Sequence, residues 1–237
     1  MHYAKRGRLR FTSHRDFSRA FERALVRARI PMAYSSGFSP HPRISYAGAS
    51  PTGAASEAEY LEIGLAETDD PQWLAAELDA ALPEGLDVVR VVVAGPGSLA
   101  DRLEASRWQI DLDAPATDVA LALVESFLAR ESVPVERMTK KGLRTFDTRA
   151  AVLALTVSAS GEGSRLDAVL RHTVPAVRPD DLLIGLARAA TPDEAGPEAT
   201  PGLTTGLTTG LTTRLMTRLE QGPLDEASGA IGDPLSA

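Results

Sequence analysis

Asp16-Phe17-Ser18-Arg19-Ala20-Phe21-Glu22-Arg23-Ala24-Leu25-Val26-Arg27-Ala28 sets how the rest of the chain is read. Phe17, Phe21, Ala24, Leu25 and Ala28 recur at the 3.6-residue period, Ser13 offers an amino-terminal cap and Pro31 stops the run, so the spacing predicts a helix. Before it, residues 2 to 12 alternate well enough for a strand. After it, Ile44 to Ala47 and Tyr60 to Leu65 read as strands, Pro71 opens a second helix through Trp73, Leu74, Leu78 and Leu82, and Leu86 to Val93 is a β-branched strand. Strand, helix, strand, strand, helix, strand is the split βαβ order of a ferredoxin-like domain.

A second round begins with a strand at Arg107 to Leu112 and a helix at Val119 to Leu128. Strands at Val135 to Met138 and Ala151 to Val157 flank the basic run Lys140-Lys141-Gly142-Leu143-Arg144. A strand near Leu166 to Leu170 and a helix at Pro179 to Ala189 follow. The expected architecture is α+β, with two ferredoxin-like domains side by side at residues 1–97 and 104–190. Beyond residue 190, Pro and Gly punctuate the chain and Gly-Leu-Thr-Thr recurs at 202, 206 and 210, so residues 191–237 are expected to be a disordered, low-complexity tail.

Charge divides the chain unevenly. The first 45 residues hold ten Lys or Arg against two acids, although the whole chain carries -7. Salt screens fields over about 8 Å, so this local excess governs attraction of a charged ligand more than the overall pI does. Arginine outnumbers lysine 22 to 3, a bias that a GC-rich genome produces unaided, so position carries more than number. Cysteine is absent, which excludes disulfides, thiolate metal sites and a thiol nucleophile in this chain. No apolar signal core or run of about 18 apolar residues is present, and a cytoplasmic protein without membrane contact is expected.

Arg15, Arg19, Arg23 and Arg27 stand four residues apart and form a cationic stripe opposite the phenylalanine face. Anion binding and a merely solvated arginine face both fit this stripe. Tyr34-Ser35-Ser36-Gly37-Phe38-Ser39-Pro40-His41-Pro42-Arg43 reads as a shaped loop, because two prolines and a glycine restrict its backbone. Phe38, His41 and Arg43 suit stacking on unpaired bases and pairing with phosphate, unless the loop's aromatics fill the core instead. Lys140, Lys141 and Arg144, with Arg137 and Arg149, make a second basic group. His14 or His41 is the candidate acid or base should the protein cleave RNA. Glu57, Glu59 and Glu62 follow a glycine-bearing turn, but a strand-entry role is favoured for Glu59 and no metal is expected.

Arg8 through Asp16, Pro31, Tyr34 through Ser45, Gly53 and Ser56-Glu57-Ala58-Glu59-Tyr60 together resemble a family encoded beside, or fused to, a radical S-adenosylmethionine protein. Val135-Glu136-Arg137 through Lys141, Asp147-Thr148-Arg149 and Val177-Arg178-Pro179 extend the resemblance to about residue 190. It implies a functional link to that radical enzyme. S-adenosylmethionine and an iron-sulfur cluster are then expected on the partner, with no cofactor in this cysteine-free chain. Paired ferredoxin-like domains with a basic helix are also similar in architecture to the metal-independent RNA-processing endonucleases of CRISPR systems. The leading expectation is a non-catalytic accessory protein that holds a structured RNA through Arg15, Arg19, Arg23, Phe38, His41, Arg43, Lys140, Lys141 and Arg144. The alternatives are a ribonuclease using His14 or His41 and a pure protein-interaction subunit; the sequence leaves the oligomeric state open.

Overall fold

The computed structural model describes residues 1–139, 142–190 and 210–236. The chain forms two compact units, the first comprising Met1–Glu104, Thr217–Leu224 and Ile231–Ala237, the second Ala105–Met216 and Asp225–Ala230.

In the first unit, β1 (His2–Lys5) leads through a 3-10 turn at Gly7–Phe11 into α1 (His14–Arg27), followed by β2 (Ile44–Ala47), β3 (Ala55–Ile63), α2 (Pro71–Ala81) and β4 (Leu86–Arg90). The strand expected over residues 2 to 12 therefore stops at Lys5. Ser13 caps α1 by accepting from the Asp16 backbone N–H at 3.2 Å, which satisfies one of the amide donors that a helix start leaves open. Phe17 and Phe21 are buried, and Phe17 stacks on Tyr3 at 4.7 Å, so the periodic face of α1 does pack on the sheet. Leu61, Leu74, Leu78 and Leu86 complete this core. At the far end of α1, Arg29 takes φ 53°, and Ile30 N–H returns to Leu25 O at 3.0 Å, closing the helix before Pro31.

The second unit holds β5 (Ala105–Ala114), α3 (Thr117–Leu128), β6 (Pro134–Thr139), β7 (Gly142–Asp147), α4 (Thr148–Ala151), β8 (Val152–Ser160), β9 (Gly163–Arg171) and α5 (Pro179–Ala190). β6 and β7 form a separate hairpin, so Gly142-Leu143-Arg144 of the basic run belong to a strand that the sequence reading missed. Ile110, Leu112, Phe127, Leu166, Leu170, Leu182 and Leu186 are fully buried. Gly185 lets α5 approach α4 closely, since a Cβ there would lie 2.5 Å from Thr148 Oγ1.

The strand pairing corrects the expected fold. β10 (Thr212–Gly222) lies within the stretch expected to be a disordered tail, and it pairs in parallel with β3 through Thr217↔Ala55 and Arg218↔Ser56. Among the described residues the strands join one mixed eight-stranded sheet in the order β4-β1-β3-β10-β5-β9-β8, with β2 also on β3. Two separable ferredoxin-like domains are thereby ruled out: β3 spends one edge on β1 and the other on both β2 and β10, so no four-stranded set stands alone. The first two Gly-Leu-Thr-Thr copies lie outside the described residues, whereas Thr212 and Thr213 of the third open β10. No helix among the described residues is long and apolar enough to cross a membrane.

Candidate nucleic-acid interface

The outer face of α1 follows from its inner one. Burying Phe17, Phe21, Ala24 and Leu25 turns Arg15, Arg19 and Arg23 outward, where all three are exposed. None of them enters an ion pair among the described residues. Asp16, the acid nearest the start of the stripe, is occupied by the cap and accepts from Ser13 Oγ at 2.6 Å. Arg27 bonds Ala81 O at 3.1 Å and so serves the packing of α1 near α2. Arg19, Glu22, Arg23, Val26 and Arg27 border a shallow depression on this face, with Val26 exposed beside them.

The Pro-bracketed loop is a pinned projection. Arg43 N–H donates to Ala33 O and Ser35 N–H to His41 O, both at 2.9 Å, and Tyr34 bridges Pro42 between them. The His41 N–H adds a 3.0 Å bond to Ser35 Oγ. These contacts close the loop at its neck and leave residues 36 to 40 to turn outside it. Gly37 makes that turn at φ 131°, in the region that L side chains avoid. Phe38 follows with its ring fully exposed, and His41 and Arg43 are exposed as well. The loop aromatics therefore do not fill the core.

His14 is exposed at the start of α1 and meets Tyr46 edge-on at 4.8 Å. Neither the His14 ring nor the His41 ring makes a hydrogen bond among the described residues, so no neighbouring group orients either one as a base would require. Among the described residues no three His, Asp, Glu or Cys side chains gather to hold a metal ion.

The second basic group divides. Lys140 and Lys141 lie outside the described residues. Arg144 is exposed on β7, opposite Arg137 in the hairpin register. Arg137 is turned to structural use: it pairs with the buried Asp181, donates to Ala176 O at 3.0 Å and lies 4.7 Å over the Phe146 ring. Arg149 bonds Val152 O at 3.3 Å.

Sequence reasoning also passed over a buried charge cluster. Arg218 of β10 pairs with Glu59 of β3, with side chains 4% and 3% exposed, and Arg218 Nε donates to Ser56 Oγ at 3.3 Å. The second Glu59 oxygen accepts from Ser50 N–H at 3.2 Å. Lys5, also buried, reaches the Pro51 and Ser50 carbonyls at 3.4 and 3.5 Å. Burial pushes the Lys5 ammonium below the ordinary lysine range; Glu59 opposes that shift and Arg218 adds to it. Glu57, meanwhile, is held by Arg6, which also pairs with Asp87. Two of the three carboxylates that follow the glycine turn are thus neutralised by arginine. A hint was present in the sequence, where Lys5 closes the apolar pair Tyr3-Ala4 and Glu59 stands between Ala58 and Tyr60.

No curated protein matches this chain. A family model described as "Uncharacterized protein conserved in bacteria (DUF2344)" matches residues 1–179, a span that includes α1, the pinned loop and the β6–β7 hairpin. The chain therefore belongs to the DUF2344 family.

Proposed function

We propose that this protein binds RNA without cleaving it and presents an unpaired stretch to a radical S-adenosylmethionine enzyme. The observation that carries the reading is Phe38, a fully exposed aromatic ring on a loop closed by cross-loop hydrogen bonds. A large apolar side chain projected into water adds nothing to the core, and its stacking on a base typically contributes about 1–3 kcal/mol. Arg43 on the same loop and Arg15, Arg19 and Arg23, which enter no ion pair among the described residues, supply phosphate-binding charge. Arg144, together with Lys140 and Lys141, extends the same chemistry along the chain. The link to a radical enzyme rests on the sequence resemblance, and S-adenosylmethionine and the iron-sulfur cluster belong to that partner.

Anisotropy titrations of labelled single-stranded RNA over a series of salt concentrations test the binding. If about five phosphates are neutralised, log affinity against log salt should slope near about -3.5. A flat salt response ends the proposal. Electrophoresis of the same RNA after incubation separates the readings further: fragments that disappear with His14→Ala or His41→Ala would establish the nuclease alternative. Recovery of the radical enzyme in a pull-down that contains no RNA and survives nuclease would favour the pure interaction subunit.

A further inference from the structure

We infer that β8 is a dimerisation edge, along which a second copy of this chain adds its own β8 antiparallel across a two-fold axis. The inference does not depend on RNA binding. Among the described residues β8 ends the strand order of the sheet and pairs only with β9. It spans nine residues, Val152-Leu153-Ala154-Leu155-Thr156-Val157-Ser158-Ala159-Ser160, without a charge, proline or glycine. Arg149 reaches the Val152 carbonyl and Arg214 donates to Ser160 Oγ at 3.0 Å, so both ends of the strand are engaged. Among the described residues no hydrogen bond outside the β9 ladder reaches the backbone of residues 153 to 159.

Long uncharged edges are rare on monomers because their open N–H and C=O groups template pairing with another chain. The other end of the sheet shows the usual protection. β4 has five residues, two of them charged, and ion pairs from Arg6 to Asp87 and from Asp233 to Arg90 flank it. β8 has only a register shift between Val152 and Ala154, which leaves Ala154 to Ser160 regular.

The strand is also complementary to itself. A two-fold axis across an antiparallel pair preserves the parity of positions, so the face carrying Leu155 and Val157 meets its own counterpart and stays continuous with the apolar layer. The exposed Thr156 and Ser158 meet small neutral side chains, and no like charges are brought opposite each other. α3 packs on β8 and exposes Leu121 and Leu128, which stand seven residues apart on one flank of the helix. A second copy fits these features better than a charged partner strand, which would find no opposite charge along the edge.

Light scattering after size exclusion tests this on the full chain. The wild type should elute at twice the 25.1 kDa chain mass. Thr156→Lys/Ser158→Lys and Thr156→Glu/Ser158→Glu alter exposed side chains only, so each variant should keep its far-ultraviolet spectrum and elute at the single-chain mass. Mixing the two variants should restore the doubled mass through lysine–glutamate pairs. A wild type that stays at the single-chain mass up to its solubility limit overturns the inference. A doubled mass that persists in both charged variants also overturns it, because the contact must then lie elsewhere.

Discussion

Arg218 and Arg23 lie in the same compact unit and carry the same guanidinium, yet Arg218 is 4% exposed against Glu59 while Arg23 stands in solvent without an ion pair among the described residues. Burial leaves Arg218 no freedom: its charge must be matched by a carboxylate and its donors by Ser56. Exposure leaves Arg23 available to a ligand at little energetic consequence for the fold. In a chain with 22 arginines, composition alone cannot separate these uses. Placement separates them, and the stripe of Arg15, Arg19 and Arg23 is informative because none of the described residues forms an ion pair with it.

The largest test of this contrast is Arg218→Ala, which leaves Glu59 buried without its partner and is expected to cost about 3–5 kcal/mol in urea unfolding. Arg23→Ala should stay within about 0.5 kcal/mol of wild type in the same measurement. Replacing both partners, Arg218→Met with Glu59→Leu, should recover most of the loss if the orphaned charge is its source. Next in size is Phe38→Ala, expected to weaken RNA binding by about 1–3 kcal/mol while leaving thermal unfolding unchanged; equal RNA affinity would remove the loop from the interface.

Asp111 extends the contrast to acid. Burial alone would raise this carboxyl, but the 2.7 Å bond from Arg165, the charge of Arg214 and the Ser160 hydroxyl outweigh it and hold the group below its ordinary range. A depressed folded value means that the stabilisation is complete above the unfolded value of about 3.9 and is lost as pH falls below it. Asp111→Asn should therefore flatten the decline of stability in that acid window, and an unchanged acid profile would show that the pairing is immaterial. The smallest effect is expected from Arg19→Ala, which should reduce the salt slope of RNA binding by about 0.7 with no change in stability.

Local patterns were readable in the sequence. The period of Phe17, Phe21, Ala24 and Leu25, the Ser13 cap and the stop at Pro31 all act within a few turns of chain, so α1 and its outward arginines followed from spacing. The turn chemistry of the Tyr34–Arg43 loop was legible too, because glycine and proline act on their own backbone, although its exposure was not. What escaped depends on distant partners. β10 follows a repeat whose leucines recur every fourth residue, and its reason to be a strand is the edge of β3, 159 residues away at the Glu59–Arg218 pair. Arg137 looked like one more member of a basic cluster until Asp181, 44 residues further on, claimed it. β7 was hidden because Arg144 and the lysines before it masked the alternation that the hairpin imposes.

The distance between Glu59 and Arg218 also has a consequence in time. At about 5–20 residues per second, a ribosome takes roughly 8–30 s to traverse the 159 positions that separate them. Throughout that interval the nascent amino-terminal unit holds Glu59 without the guanidinium that pairs with it, and the Ala55–Ser56 edge of β3 lies open. The unit begun first in synthesis is thus completed only after the polypeptide of the other has emerged.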